Sequence, residues 1–159
     1  MIFVTVGYQM SFDRMVKAVD EWAKRNPEVE IFAQIGPTDF VPQNMPHTKF
    51  LSPDEFRIRI EETTLLVAHA GMGSILTAME MQKPIVIMPR RGDLQETRND
   101  HQIATLRKMV GRPGIRTAMD SSELIDALDQ RDDFDRPESI RQSASDELLD
   151  HLRAFIHQD

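Results

Sequence analysis

Short apolar runs rich in β-branched residues alternate along this chain with longer stretches of helical period. That rhythm leads to βαβ units, because a buried parallel strand can be rejoined only through a crossover of a dozen or more residues, usually a helix. The spacing predicts strands at Ile2–Val6, Glu30–Ile35, Lys49–Leu51, Leu65–Ala68, Pro84–Met88 and Ile115–Ala118. The expected fold is therefore α/β, a Rossmann-like open parallel sheet of about six strands.

The intervening stretches read as helices. Phe12, Met15, Val16, Val19 and Trp22–Ala23 recur on one face of the first, with Lys17, Asp20, Glu21 and Lys24 on the other. Ser52, Pro53 and Glu55 form a capping-box pattern that opens a second helix toward Glu62. A third is expected from about Gly73-Ser74 to before Pro84, and a fourth from about Arg98 to Val110, stopped by Gly111 and Pro113. Ser121–Leu128 reads as a short helix and Gln130–Glu138 as a solvated connector. A last amphipathic stripe, Leu148, Leu149, Leu152, Phe155 and Ile156, either packs on the core or offers a docking face. The organisation is thus a Rossmann-like domain over 1–120 and C-terminal helices over 121–159 that pack on it or dock a partner.

With 159 residues, one domain is expected. A net charge of −7 argues against an electrostatic nucleic-acid binder. The chain has no cysteine, which removes disulfides, thiolate metal sites and Cys nucleophiles together and suits a reducing cytoplasm. The sequence opens on an apolar strand-like run without a basic leader, so no signal peptide is expected, and no window resembles a transmembrane helix.

The segment with chemical content is Leu65–Leu76, in which a buried strand runs through His69-Ala70-Gly71-Met72-Gly73-Ser74 into a helix. Glycines there permit close backbone approach, and the unpaired N–H groups of a helix's first turn attract phosphate. Ser74 can cap the helix or donate to that anion. An ordinary tight turn remains the alternative, and neither a dinucleotide fingerprint nor a P-loop lysine is present. After the next strand, residues 89–102 bring Arg90, Arg91, Glu96, Asn99, Asp100, His101 and Gln102 to a strand's C-terminal end, where open parallel sheets bind ligands. Guanidinium groups for phosphate beside carboxylates and amides for hydroxyls suit a nucleotide-sugar. Solvated arginines, acidic residues placed by a helix dipole, and a His69 that serves only its own turn are the structural alternatives. No local spacing supports a metal site, so neither a metal nor another cofactor is expected.

Taken together, Val4-Thr5-Val6-Gly7, His69–Ile75, Lys83-Pro84, Met88-Pro89-Arg90 and Glu96-x-x-Asn99-Asp100-His101-Gln102 resemble the C-terminal, donor-binding half of family 28 glycosyltransferases. The resemblance extends to about Val110. It is greatest to the small separate subunits of two-subunit enzymes, namely the dolichol-pathway N-acetylglucosaminyltransferase and bacterial exopolysaccharide or capsule transferases. It implies one half of a GT-B enzyme, inverting and metal-independent, that takes a UDP-sugar. A membrane-associated partner subunit would supply the lipid-diphosphate-linked acceptor and the catalytic base on the cytoplasmic face. By the same likeness, Gly71, Gly73 and Ser74 would lie at the donor diphosphate, with Met72 between them in the substrate-binding set. Arg90 would neutralise the leaving group, and Glu96, Asn99, His101 and Gln102 would face ribose or sugar hydroxyls. Gly7 and His69 complete the expected substrate-binding set with Thr77 and Tyr8, two positions that depart from the family pattern: relatives often carry a ribose-binding carboxylate at the former and a small Thr at the latter. A non-catalytic nucleotide-sugar-binding module of a polysaccharide-assembly complex is the alternative function.

Overall fold

The structure, a computed structural model, describes residues 1–137. Its elements are β1 (Ile2–Thr5), α1 (Asp13–Arg25), β2 (Ile31–Gln34), β3 (His47–Thr48), α2 (Pro53–Glu62), β4 (Leu65–His69), α3 (Met72–Glu80), β5 (Ile85–Met88), α4 (His101–Met109), β6 (Ile115–Thr117) and α5 (Ser121–Asp129). The six strands form one parallel sheet in the order β3-β2-β1-β4-β5-β6. This is the doubly wound Rossmann order, in which the chain reverses its direction of travel between β1 and β4.

Alternation along each strand feeds two cores. Ile2, Val4, Ile31, Ala33, Leu65, Val67, Val86 and Met88 pack under α1 and α5. Phe3, Leu66, Ala68, Ile85 and Ile87 pack on the other face, under α2, α3 and α4. Central strands covered on both faces explain the near-continuous apolar runs of β1, β4 and β5. Helix α5 belongs to this body, with Leu124, Ala127 and Leu128 buried against the α1 layer. The expected last helix, with its stripe from Leu148 to Ile156, lies outside the described residues.

Several local expectations shift. β3 pairs at His47–Thr48 rather than Lys49–Leu51: Ala33 faces His47 and Gln34 faces Thr48 across the ladder. The apolar Phe50-Leu51 that suggested a strand instead connects to α2, with Leu51 buried and Phe50 exposed. α4 starts at His101, three residues late, because Asn99 and Asp100 use their side chains on backbone N–H groups of His101 and Gly92. Asp20, expected on the solvent face of α1, is buried, and its carboxylate accepts the N–H groups of Gln43 and Asn44 at 2.8–3.2 Å. It thereby pins the β2–β3 connection.

Candidate functional site

The strand order reverses between β1 and β4, where open parallel sheets bind ligands at their C-terminal edge, and the glycine turns that follow these two strands meet at the His69 ring. Gly7 leaves β1 at φ +77°, a conformation that disfavours a side chain. The His69 ring ends β4 beside it. A Cβ on Gly7 would approach His69 Cε1 to 2.9 Å, and one on Gly71 would approach Nε2 to 2.3 Å. Both glycines therefore make room for the imidazole. Burial lowers the pKa of His69 to about 4, with the charge of Arg90 acting in the same direction, so the ring is neutral near pH 7. Its Nδ1 is buried without a hydrogen-bond partner among the described residues.

Gly71 is the N-cap of α3 and offers no side chain to the helix. The first bond back to it comes from Ile75 N–H, at 3.3 Å to Gly71 O. The N–H groups of Met72, Gly73 and Ser74 precede that bond and meet no acceptor among the described residues. Gly73 is exposed, and a Cβ placed on it would meet nothing within 4 Å among the described residues. Three donors at the positive end of a nine-residue helix thus stand without an acceptor among the described residues. Ser74 does not cap the helix; the Thr77 hydroxyl donates to Gly73 O at 2.9 Å, and Met72 packs partly on the core.

The β5–α4 loop forms the far wall. Arg90 is buried and aims its guanidinium into the protein, donating to the carbonyls of Val6 (2.7 Å), Met10 (2.6 Å) and Ser11 (3.3 Å). Burial lowers its pKa to about 10, opposed by the charge of Glu96, and it stays cationic. Its backbone N–H donates to Gln102 Oε1 at 3.0 Å. Glu96 accepts from the Arg91 N–H at 3.0 Å and from the Arg14 guanidinium at 2.8 Å. Asn99 Oδ1 accepts the His101 N–H at 3.2 Å, and His101 itself is exposed. Tyr8, half exposed, lies over Phe50 with ring centroids 6.0 Å apart, and its hydroxyl donates to Leu51 O.

The family model described as "Glycosyltransferase family 28 C-terminal domain" matches residues 1–146. This chain belongs to that family. Solved structures with related folds include the glycosyltransferase of kitacinnamycin, 17% identical with a TM-score of 0.59, over 96% of this chain and 37% of that one. The solution structure of ALG13 is 19% identical with a TM-score of 0.59, over 86% of this chain and 87% of that one. The spinosyn forosaminyltransferase SpnP is 13% identical with a TM-score of 0.50, over 95% of this chain and 43% of that one. No curated protein sequence matches. The family 28 chain here thus has the fold of one half of a GT-B enzyme, spans less than half the length of the kitacinnamycin and spinosyn enzymes, and is about the size of the ALG13 chain.

Within this family 28 domain, Gly7 and Gly71 both meet the His69 ring at the C-terminal edge of β1 and β4, and Met72, Gly73, Ser74 and Thr77 follow in the first turns of α3. Arg90 and Glu96 lie at the same edge, past β5, with both side chains turned toward protein groups. Tyr8 leans toward the β3 side. Arg14 was not singled out from the sequence; a lone cation beside the apolar stripe of α1 carries no signal of the loop it will reach. Among the described residues, no helix is long and apolar enough to cross a membrane, and no three His, Asp or Glu side chains gather as for a metal. A cavity of about 260 Å³ lined by Gly111–Arg116 and Asp133–Asp135 sits at the sheet's opposite edge, where helices present carbonyl rather than N–H ends.

Proposed function

We propose that this chain is the donor-binding subunit of a two-subunit, inverting glycosyltransferase. It binds a UDP-sugar with the diphosphate on the N–H groups of Met72, Gly73 and Ser74, and a membrane-associated partner brings a lipid-diphosphate-linked acceptor. The observation that carries the reading is the uncapped N-terminus of α3, opened by Gly73 at the reversal point of the sheet. Membership of family 28 and the likeness in size to ALG13 support it. The chemistry asked of this half is electrostatic. Fixed N–H dipoles stabilise the charge that grows on UDP as the glycosidic bond breaks, and they need no reorganisation to do so. His101, Asn99 and Gln102 stand at the start of α4, within the wall that faces ribose and sugar hydroxyls. The carboxylates of Glu96 and Asp100 are engaged with neighbouring donors, which fits a general base on the partner.

Calorimetric titration with UDP, UDP-GlcNAc, UDP-glucuronic acid and UDP-galactose tests the reading. Saturable binding of UDP and a rank order among the sugars is the expected result; heats no larger than dilution for all four contradict it. A non-catalytic binding module would share this site, and it predicts binding without sugar transfer when membranes carrying the acceptor half are added.

A further inference from the structure

Two arginines at the ligand edge reach across one another. Arg90, two residues past β5, holds three carbonyls of the β1–α1 loop. Arg14, in the first turn of α1, reaches the opposite way: Nε and Nη2 donate to Glu96 Oε1 and Oε2 at 2.8 Å each. Arg14 Nη2 also donates to Pro89 O at 2.9 Å and Nη1 to Met119 O at 3.4 Å. Both guanidinium carbons lie 5.3 Å from the ring centroid of Phe12, which is fully buried. Each loop is thus fastened by a side chain rooted at the other, around one aromatic ring.

The Arg14–Glu96 pair is bidentate and mostly shielded, with side chains 20% and 13% exposed, so salt screens it less than a surface pair. Glu96 Oε2 also accepts the Arg91 N–H, which closes the turn from Arg91 to Glu96. With three donors on its two oxygens, this carboxylate is occupied by protein.

We propose that Arg14 is a positioning residue: through Glu96 it holds the β5–α4 loop, residues 91–100, in the shape that meets a nucleotide-sugar seated at α3. The inference rests on the donor-site reading above, but the brace itself can be tested without a ligand. Arg14→Gln, Glu96→Gln and the double variant are compared with the intact chain by UDP calorimetry, by amide hydrogen exchange of residues 91–100, and by thermal melting. Each single variant is expected to weaken UDP binding about tenfold and to speed exchange in that loop, while α1 and α5 keep their protection. The double variant loses no more than the worse single one, because both changes break the same contact. Losses that multiply in the double variant overturn the proposal and make Glu96 an independent ligand contact. Unchanged exchange and affinity in the single variants, or faster exchange throughout the protein with affinity retained, also overturn it, the last being the mark of a purely structural pair. If the intact chain binds no UDP, the donor reading fails, and the exchange of residues 91–100 alone decides whether the brace exists. Should Arg14→Gln not fold, Arg14→Lys keeps the charge without the bidentate fork and takes the same measurements.

Discussion

Helices α2 and α3 both begin at the C-terminal edge of one sheet, and they treat their first N–H groups in opposite ways. In α2, Ser52 Oγ accepts the Glu55 N–H at 3.3 Å, and Glu55 Oε2 accepts the Ser52 N–H at 2.8 Å. The Ser52 hydroxyl also donates to Glu55 Oε2 at 2.7 Å, and this bond, together with the one from the Ser52 N–H, lowers the pKa of the Glu55 carboxyl from its ordinary value. In α3 the N-cap is Gly71, and among the described residues no side chain closes the first turn and nothing stands within 4 Å of a Cβ placed on Gly73. A helix that satisfies its own donors is finished as a structural element; one that does not has capacity left for an anion. The contrast separates stability from binding within a single fold.

The strongest way to break that contrast is Gly73→Asp, which places a carboxylate where the diphosphate would sit. UDP affinity is expected to fall at least about a hundredfold by calorimetry, while the melting temperature holds or rises, since an acid in the first turn favours the helix by about 0.3–1 kcal/mol. Retained binding would mean that the anion sits elsewhere. Gly71→Ala acts on stability instead. Its Cβ would lie 2.3 Å from His69 Nε2, so overpacking should destabilise the fold by roughly 2–3 kcal/mol in denaturant titrations. Pairing it with His69→Ala should recover part of that loss, because the ring it collides with is gone.

Acid sharpens the same point. His69 has its ordinary pKa of 6.5 when unfolded and about 4 when folded, so between those values the unfolded chain binds more protons. Stability therefore falls as pH drops through that window, by about 2 kcal/mol from pH 7 to pH 4.5. Denaturant midpoints across this range should flatten in His69→Gln; an identical slope in that variant would assign the acid sensitivity to other groups. The smallest effect is expected at the satisfied helix. Ser52→Ala should lower stability by about 1 kcal/mol and leave UDP affinity unchanged. An altered affinity would show that α2 is not the inert member of the pair.

Much of this was legible in the sequence, for physical reasons. Strands buried on both faces must be apolar throughout, so β1, β4 and β5 announce themselves, and the Ser52–Glu55 box is a local motif that needs no tertiary context. Gly73 could be picked out because helix termini and glycine turns are local as well. Long-range pairing was not readable. Phe50-Leu51 looked like a strand, yet Leu51 is buried ahead of α2 and Phe50 lies against Tyr8. Asp20 looked solvated until the β2–β3 connection supplied two N–H groups to its carboxylate. Arg90 and Glu96 follow β5 at the C-terminal edge of the sheet, but Arg90 bonds to carbonyls 79 to 84 residues away and Glu96 to Arg14, 82 residues away, beyond any local pattern; the Glu96 bond to the Arg91 N–H is local. Gly71, taken as a cradle for phosphate, is also the space that the His69 ring occupies.

The most direct measurement is a titration of the ¹⁵N-labelled chain with UDP, followed through its amide resonances. The account predicts that the Met72, Gly73 and Ser74 amides move first and furthest while Glu55, at the capped start of α2, stays in place. Shifts centred on residues 111–116, or none at all at saturating UDP, would contradict it.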